Sequence, residues 1–371
     1  MIPSAQERTD PGFTSAEHTA MTAALDAAAR GVRGANPVVG AALLHRDGRI
    51  LHTGHHSGAG TLHAEADALR KAKEAGTDLA HVTMVITLEP CNHMGRTGPC
   101  TGAILDAGID SVIFAVHDGT EAASGGGAFL ADHGVSVRHG LLAEQAADLN
   151  DRWFNAQFQN RPFVTLKIAQ SLDGRVAAPD GTSQWITGPS AREAGHEIRA
   201  RVDAILVGGG TARVDNPTLT ARDAQGNPRD HQPLRAVMSR TPVAHDARVR
   251  RGVVAREDSG ETSDGRFVWL NTHDPAEALA RLGALGVAHV LVEGGPTVSA
   301  AFLAANLVDE LWLYQAPMIL GDGKAALAPL PTQTLADAAR WRSDPVAGPS
   351  VRTLGNDVAW HLRPAAVSAS K

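Results

Sequence analysis

The chain has 371 residues, which at roughly 150 residues per domain predicts two domains. Hydrophobic residues make up 43% and charged residues 20%, the balance of a globular chain rather than of a disordered or membrane-embedded one. A net charge of -6 argues against general nucleic-acid binding; no apolar run approaches the ~20 residues that span a bilayer, and no secretory signal opens the chain, so a cytoplasmic protein is expected.

In chain order, residues 1–13 are polar and expected to fray. Ser15–Ala29 is Ala-rich and helical, with Thr14 or Ser15 as N-cap. Gly31–Pro37 is a loop, and Val38–Leu44 with Arg49–Thr53 forms a hairpin about Asp47-Gly48. Leu62–Ala75 is a helix closed by Gly76. Val82–Leu88 is a β-branched run and hence a buried strand. Pro99–Ala107 is helical, Ser111–Val116 a strand and Ala128–Asp132 a short helix. Leu141–Gln159 reads as one helix, with a domain boundary near Asn160-Arg161-Pro162. Beyond it, strands are expected at Phe163–Ala169, Ala204–Val207, Phe267–Leu270, His289–Val292 and Glu310–Ala316. Helices are expected at Glu193–Val202, Pro275–Leu285 and Thr297–Ala305, a polar loop at Val253–Gly265 and a tail at Ala365–Lys371. The alternation predicts two α/β domains, over residues 14–150 and 161–365, each a sheet covered by helices.

The two parts differ in chemistry. Residues 1–150 carry a net charge of -7 and residues 151–371 a net of +1; eleven of the 17 histidines and both cysteines lie in the first part. Two cysteines make no disulfide scaffold, and in a reducing compartment such a pair points to metal binding or catalysis.

The sharpest pattern is His63-Ala64-Glu65 followed by Pro90-Cys91-Asn92-His93-Met94-Gly95-Arg96-Thr97-Gly98-Pro99-Cys100. One imidazole and two thiolates suit tetrahedral Zn²⁺ with a fourth position open to water, the pattern of a catalytic rather than a structural site. Zinc lowers the pKa of its water to about 7. Glu65, at a helix start beside ligand His63, is the candidate proton carrier. The alternatives are a closed site with His93 or His55 as fourth ligand, and buried thiols without metal. His93 and Arg96 read as loop scaffolding or as ligands of a substrate phosphate. His18, His45, His52, His81, His133 and His139 read as solvated.

The first half of this pattern matches the zinc deaminase signature, His-x-Glu then Pro-Cys-x-x-Cys, but eight residues separate the cysteines instead of two. That longer loop resembles the pyrimidine deaminases of bacterial riboflavin biosynthesis, whose loop reads Pro-Cys-Ser/Asn-His-x-Gly-Arg-Thr-x-Pro-Cys. Ala35-Asn36-Pro37-Val38-Val39-Gly40-Ala41 and His56 also match that family. The resemblance implies that Asn36 contacts the pyrimidine and that this domain is cytidine-deaminase-like, α/β/α. The chain departs from the family at residues 117–127, where an Asp-Pro-Asn-Pro and a Gly-rich segment are expected: Asp118 and the glycines at 125–127 remain, but the Asn-Pro is gone.

In the second half, Val207-Gly208-Gly209-Gly210-Thr211 and Val292-Glu293-Gly294-Gly295-Pro296-Thr297 read as strands running into glycines and then a hydroxyl residue. The latter is a candidate pyrophosphate cradle at a helix start near Pro296. Neither run is a dinucleotide fingerprint, and tight left-handed turns at strand ends are the plainer alternative. Together with Leu166–Arg175, Ser183–Thr187 and Asp215–Thr220, these segments resemble the reductase domain of the same bifunctional riboflavin-pathway family. That resemblance implies a dihydrofolate-reductase-like α/β fold and NADPH as cofactor. It carries cofactor contacts onto Ala169, Trp185, Thr211, Asp215, Gly294, Gly295, Pro296 and Thr297, and substrate contacts onto Ser183, Arg199, Leu219, Arg222 and Glu293. Lys167 is a further candidate in that site, and Glu293, Lys167 and Asp215 are the candidates for proton transfer. Arg199 and Arg222 suit bidentate binding of a ribose phosphate, or else are surface ion pairs. A second departure falls at Ser239-Arg240, where the family has Asp-Ser; an arginine there suits the 2′-phosphate of NADP, or is a surface change.

The resemblance implies one zinc ion per chain, NADPH, a pyrimidine ribosyl phosphate substrate and a homo-oligomer, dimer or tetramer. No nucleic-acid or membrane partner is expected. Three other readings are a related enzyme acting on another aminopyrimidine, a deaminase of RNA bases, and a non-enzymatic zinc-stabilised nucleotide-binding module. The acidic first half and the cysteine spacing argue against RNA.

Overall fold

The computed structural model describes residues 12–58, 60–92, 98–119, 125–251, 266–327, 329–346 and 348–365. Residues 1–11 of the expected frayed start, the expected loop at Val253–Gly265, the tail beyond Ala365, and His93 and Arg96 lie outside the described residues. The chain divides into two compact units, one running to Phe154 and joined by Val346 and Gly348, the other starting at Asn155 and holding the rest, and each is described by itself.

The first unit opens with α1 (Ser15–Ala28), whose N-cap is Thr14 in a capping box. The Glu17 N–H donates to Thr14 Oγ1 (3.2 Å) and the Thr14 N–H to Glu17 Oε2 (2.7 Å), which satisfies two backbone donors at once. There follow β1 (Gly40–His45), β2 (Ile50–His55), α2 (Ala64–Glu74), β3 (Val82–Leu88), α3 (Cys100–Asp106), β4 (Ser111–Val116), α4 (Gly126–Asp132), β5 (Ser136–His139), α5 (Ala143–Leu149) and α6 (Asp151–Phe158). Among the described residues, the five strands lie in the order β2-β1-β3-β4-β5. β1 runs antiparallel to β2 and β3, and β3, β4 and β5 are parallel. Alternate residues face opposite layers. Leu43, Met84, Ile86 and Phe114 pack with Ala64 and Ala68 of α2 and Ile104 of α3, while Ala42, Val85 and Ile113 meet Ala20, Met21 and Ala24 of α1.

The single helix expected over Leu141–Gln159 is two, α5 and α6, broken at Asn150. The Asn150 side chain is 1% exposed; its Oδ1 accepts from the Val38 N–H (3.0 Å) and its Nδ2 donates to the Val38 carbonyl (2.8 Å). A buried backbone pair left unmet costs about 1–3 kcal/mol per group, more than one helical bond returns, so the amide wins and the helix breaks. Of the histidines expected to be solvated, His81, His133 and His139 are exposed, whereas His18, His45 and His52 are half-buried, His52 pairing with Thr77.

The second unit contains β6 (Phe163–Ser171), β7 (Arg175–Ala177), α7 (Pro189–Arg199), β8 (Ala204–Gly208), α8 (Gly209–Val214), β9 (Leu234–Met238), α9 (Arg248–Arg251), β10 (Phe267–Leu270), α10 (Pro275–Ala284), β11 (His289–Val292), α11 (Pro296–Ala304), β12 (Glu310–Ala316), β13 (Lys324–Ala325), β14 (Trp341–Ser343), β15 (Val351–Leu354) and β16 (Asp357–Pro364). The main sheet runs β10-β9-β8-β11-β6-β12-β16-β14, with β15 on β16 and a separate β13-β7 pair. From β10 to β12 the strands are parallel, and β16 returns antiparallel to β12. β11 comes late in the chain yet lies between β8 and β6, so chain order reverses beside β8. Crevices of this kind, outside the carboxyl ends of the strands at a reversal, bind ligands in open α/β sheets. The core joins Val164 and Leu166 of β6, Leu206, Val292, Phe302 of α11 and Leu279 of α10.

A polar cluster sits inside this unit. His361 Nε2 lies 2.6 Å from Glu310 Oε1, and the Thr165 hydroxyl donates to Glu310 Oε2 (2.7 Å) while facing His289 Nε2 (2.8 Å). Ligands sharing one metal ion stand about 3 Å apart or more, so the His361–Glu310 contact is a hydrogen bond. Among the described residues, no helix is long and apolar enough to cross a membrane.

Replacing Asn150 by Ala strands both backbone groups of Val38. The expected loss is about 2–4 kcal/mol of unfolding free energy, read as a lower denaturant midpoint with an unchanged slope. A loss below about 0.5 kcal/mol would show that the amide does not hold this segment.

Candidate functional site

In the first unit, three short segments converge. His63 is the residue before α2, and Cys100 is the first residue of α3. Cys91 follows β3 by way of Glu89-Pro90. His63 Nδ1 lies 3.5 Å from Cys91 Sγ and 3.3 Å from Cys100 Sγ, and all three ligand atoms lie within 4.8 Å of one another. Zn–N of about 2.0 Å and Zn–S of about 2.3 Å in a tetrahedron put nitrogen and sulfur about 3.5 Å apart. The donor set and the spacing therefore fit zinc. Both cysteines are buried and free. The Cys91 thiol is depressed, because Cys100 donates to it and His63 lies beside it; Cys100 is driven up by the same pairing. One sulfur is thus an anion at neutral pH, the form that ligates metal. His55, considered as a fourth ligand, pairs with Ser57 and sits 4.0 Å from Asp67 instead.

Glu65 lies in the first turn of α2 and is only 3% exposed. Burial pushes its carboxyl above the usual carboxylate range. The acidic first turn, Glu65 and Asp67, also suits the positive end of the helix. His56 packs edge-on against His63, with ring centres 5.4 Å apart. The Leu62 carbonyl can only accept, so His56 Nδ1 donates to it (3.0 Å), and the neutral ring's Nε2 accepts from Asn36 Nδ2 (3.1 Å). Burial lowers the His56 pKa and keeps the ring in that neutral form. Asn36 is thereby brought next to the metal-ligand cluster.

Glu89 was not singled out by its sequence context, although a carboxylate at the end of an apolar strand and one residue from Pro90-Cys91 is a signal. Its buried side chain accepts from the backbone N–H groups of Gly127 (2.9 Å) and Asp118 (3.3 Å) and pairs with His117 (3.1 Å). This ties the strand end that carries Cys91 to the loop after β4 and to α4. At Gly126 an added Cβ would lie 1.8 Å from the Pro90 carbonyl oxygen, so only glycine lets α4 close on the cysteine loop.

In the second unit, a cavity of about 920 Å³ opens at the carboxyl ends of the strands. It is large enough for a dinucleotide. Lys167, Ala169, Ser183, Thr211, Asp215, Glu293 and the stretch from Gly294 to Thr297 line it, together with Gly208, Gly209, Gly210, Met238, His273 and Lys324, which the sequence reading had not assigned to a ligand. β8 and β11 are paired, so their glycine runs lie side by side. Gly208 to Gly210, Gly294 and Gly295 take no positive φ, which sets aside the left-handed turn reading. At Gly294 an added Cβ would meet the Val298 side chain at 2.6 Å, so close packing of α11 demands the glycine. Pro296 is the first residue of α11, where its missing N–H costs nothing.

Arg199 does not line the cavity. Its fork is spent on Glu293, with Nε and Nη2 donating at 2.9 and 2.6 Å. The pair is half-buried, and the guanidinium offsets the desolvation of Glu293, holding its carboxyl down to about 2. Lys167 stands near both; burial, relieved partly by Glu293, lowers its pKa. His196 and Arg199 both donate to the Thr220 carbonyl, and Arg222 donates to the hydroxyls of Thr218 and Thr220. Leu219 is buried between these two threonines. Arg199, Arg222 and Glu293 therefore form one polar group, joined through Thr220 and meeting the cavity through Glu293. Trp185 is 66% exposed, outside the cavity lining, under the guanidinium of Arg192.

Residues 14–116 match the family described as the cytidine and deoxycytidylate deaminase zinc-binding region, and residues 162–348 match the RibD C-terminal domain. The riboflavin biosynthesis protein RibD of Corynebacterium ammoniagenes is 42% identical over 340 residues, covering 91% of this chain and 95% of that protein. RibD of Mycobacterium tuberculosis is 40% identical over 323 residues, covering 87% of this chain and 89% of that protein. Among solved structures, a diaminohydroxyphosphoribosylaminopyrimidine deaminase/5-amino-6-(5-phosphoribosylamino)uracil reductase of Thermotoga maritima is similar with a TM-score of 0.71 and 31% identity, covering 94% of this chain and 99% of that one.

Glu293 is held as an anion in the fold far below its free value of 4.5. A depressed carboxyl contributes stability above its unfolded pKa and loses it as pH falls through the folded one. The second unit is therefore expected to lose this contribution between pH 4.5 and about 2. Acid titration of Glu293→Gln is expected to lack that part of the slope; an unchanged slope would show that the pair is not coupled to folding.

Proposed function

The chain belongs to the family of the riboflavin biosynthesis protein RibD, bifunctional deaminase–reductases of riboflavin biosynthesis, and on that premise we propose how its residues divide the two reactions. Residues 14–150 remove the 2-amino group of 2,5-diamino-6-(5-phosphoribosylamino)pyrimidin-4-one by hydrolysis. Residues 161–365 then reduce the ribosyl side chain, giving 5-amino-6-(5-phosphoribitylamino)uracil. The observation that carries the reading is the triangle of half-buried His63 with buried Cys91 and Cys100, and buried Glu65 two residues from the first ligand.

His63, Cys91 and Cys100 would hold one zinc ion per chain, which when bound would supply, as the nucleophile, a water whose pKa is lowered to about 7. Glu65 takes the proton of the attacking water and delivers it to the departing amino nitrogen. Burial raises its pKa, so the carboxyl holds a proton more readily than a free carboxylate while passing it on. Asn36, its amide nitrogen fixed on His56, offers its carbonyl oxygen to the pyrimidine edge.

In the second unit, Ala169, Trp185, Thr211, Asp215 and the turn of Gly294, Gly295, Pro296 and Thr297 bind NADPH, which supplies the hydride. Ser183, Leu219, Arg199, Arg222 and Glu293 receive the substrate. Arg222 takes the ribose phosphate more readily than Arg199, whose fork is held by Glu293. Lys167, beside Glu293 in the cavity wall, is the preferred proton donor to the reduced sugar, its pKa lowered by burial. The protein acts in the cytoplasm as a homo-oligomer, dimer or tetramer.

Mass spectrometry of the substrate with the zinc-loaded protein is expected to give the deaminated product without NADPH and a further gain of two hydrogens with it. No conversion by folded, zinc-loaded protein would contradict the assignment. Glu65→Gln is expected to keep its zinc and lose deamination by about a hundred- to ten-thousandfold. A Gln variant that deaminates at the wild-type rate would remove Glu65 from the mechanism.

A further inference from the structure

Lys167 lines the cavity, and among the described residues no hydrogen bond reaches its ammonium. An ammonium on a flexible four-carbon stem needs something to aim it, since a proton donor works only within reach of the atom it serves. Charge alone does not supply this. Glu293 attracts Lys167, but both oxygens of that carboxylate already receive Arg199, whose guanidinium repels the ammonium. Two cations thus share one anion, which leaves the second short of a partner.

The Tyr314 ring is that partner. Trp312 of β12 stands opposite Lys167 of β6, and Tyr314 opposite Ala169, so both rings share the sheet face that carries Lys167. The ammonium lies 5.5 Å from the centre of the Tyr314 ring, inside the ~6 Å over which an aromatic face attracts a cation. The stem runs close to α7, where an added Cβ at Gly195 would lie 4.0 Å from Lys167 Cε. The ring itself is fixed. Tyr314 is 1% exposed, and its strand is paired on both sides, with Ala169 and with Ala359. Trp312 beside it stacks on His361, ring centres 4.0 Å apart, beneath the Arg352 guanidinium. Burial pushes the Tyr314 phenol up, so it stays un-ionised and does not compete as an acid. Of the charged groups about the pair, Glu293 and Arg199 act on Lys167, while Arg352, Glu197, Glu293 and Glu310 act on Tyr314.

We propose that Tyr314 is a positioning residue for the reduction, its ring face holding the Lys167 ammonium charged and aimed at the cavity. The face attracts the charged form alone, so it acts on Lys167 against burial and keeps the proton on the donor at neutral pH. The proposal rests on the reading of Lys167 as the proton donor.

The pH dependence of kcat for the reductase step tests it, measured on the full chain with the deaminated substrate and saturating NADPH. Losing the ring lowers the pKa of the ammonium, so the alkaline limb of the profile, where the donor gives up its proton, moves to lower pH. Tyr314→Leu is expected to move that limb down by about 0.4–1.5 pH units, with the KM for NADPH unchanged. Tyr314→Phe keeps the face and is expected to keep the wild-type limb. Tyr314 is the single tyrosine of the chain, so production with 3-fluorotyrosine alters this ring alone. Fluorine weakens the face without emptying its space, and the limb is expected to move the same way by a smaller step. The fluorinated protein carries the test if Tyr314→Leu does not fold. A limb that stays put in the fluorinated protein, or that moves as far in Tyr314→Phe as in Tyr314→Leu, would overturn the proposal and leave the Lys167 reading standing. Lys167→Met is expected to lose reduction; reduction at the wild-type rate would overturn the proton-donor reading and the proposal with it.

Discussion

Three ligand atoms held within an ion's width of one another are the constraint on which the first unit turns. His63, Cys91 and Cys100 come from two helix starts and a strand end, and no two adjacent residues supply them. The surrounding fold keeps these segments in register. Glu89 gathers two backbone N–H groups and His117, and Gly126 allows α4 to close on the Pro90 carbonyl. His56 passes the same order outward, packing on His63 and fixing Asn36. Chemistry follows from burial: the water-poor site that raises Glu65 also strengthens the hold on a cation.

The second unit depends on a different device, a chain reversal in a parallel sheet. It sets two glycine-bearing strand ends side by side and opens the cavity beyond them. The half-buried Arg199–Glu293 pair backs the far wall, which the cavity meets through Glu293. Lys167 shares that wall, so the reacting end of the cavity is polar while the sheet beneath it is apolar.

Much of this was legible in the sequence. Val82–Leu88, Ser111–Val116, Phe267–Leu270, His289–Val292 and Glu310–Ala316 stand as strands with the bounds read from them, because short β-branched and aromatic runs leave little choice. The metal ligands were legible because ligand type and spacing encode coordination. Other elements were hidden for physical reasons. β9 carries Arg235 at 0% exposure in the middle of an apolar run, its Nε paired with the Val249 carbonyl. β16 turns Asp357, His361 and Arg363 inward, the reverse of the usual pattern. Asn150 breaks a helix through a bond to Val38, far away in sequence, and the Arg199–Glu293 pair spans a similar distance. Such pairings are properties of the folded chain, and no local window carries them.

The central claim is an open zinc centre with three protein ligands. X-ray absorption at the zinc edge of the full chain tests it most directly. The account predicts two sulfurs at about 2.3 Å, one imidazole nitrogen and one further light atom at about 2.0–2.1 Å. A second imidazole in the coordination shell would mean a closed structural site and would contradict it.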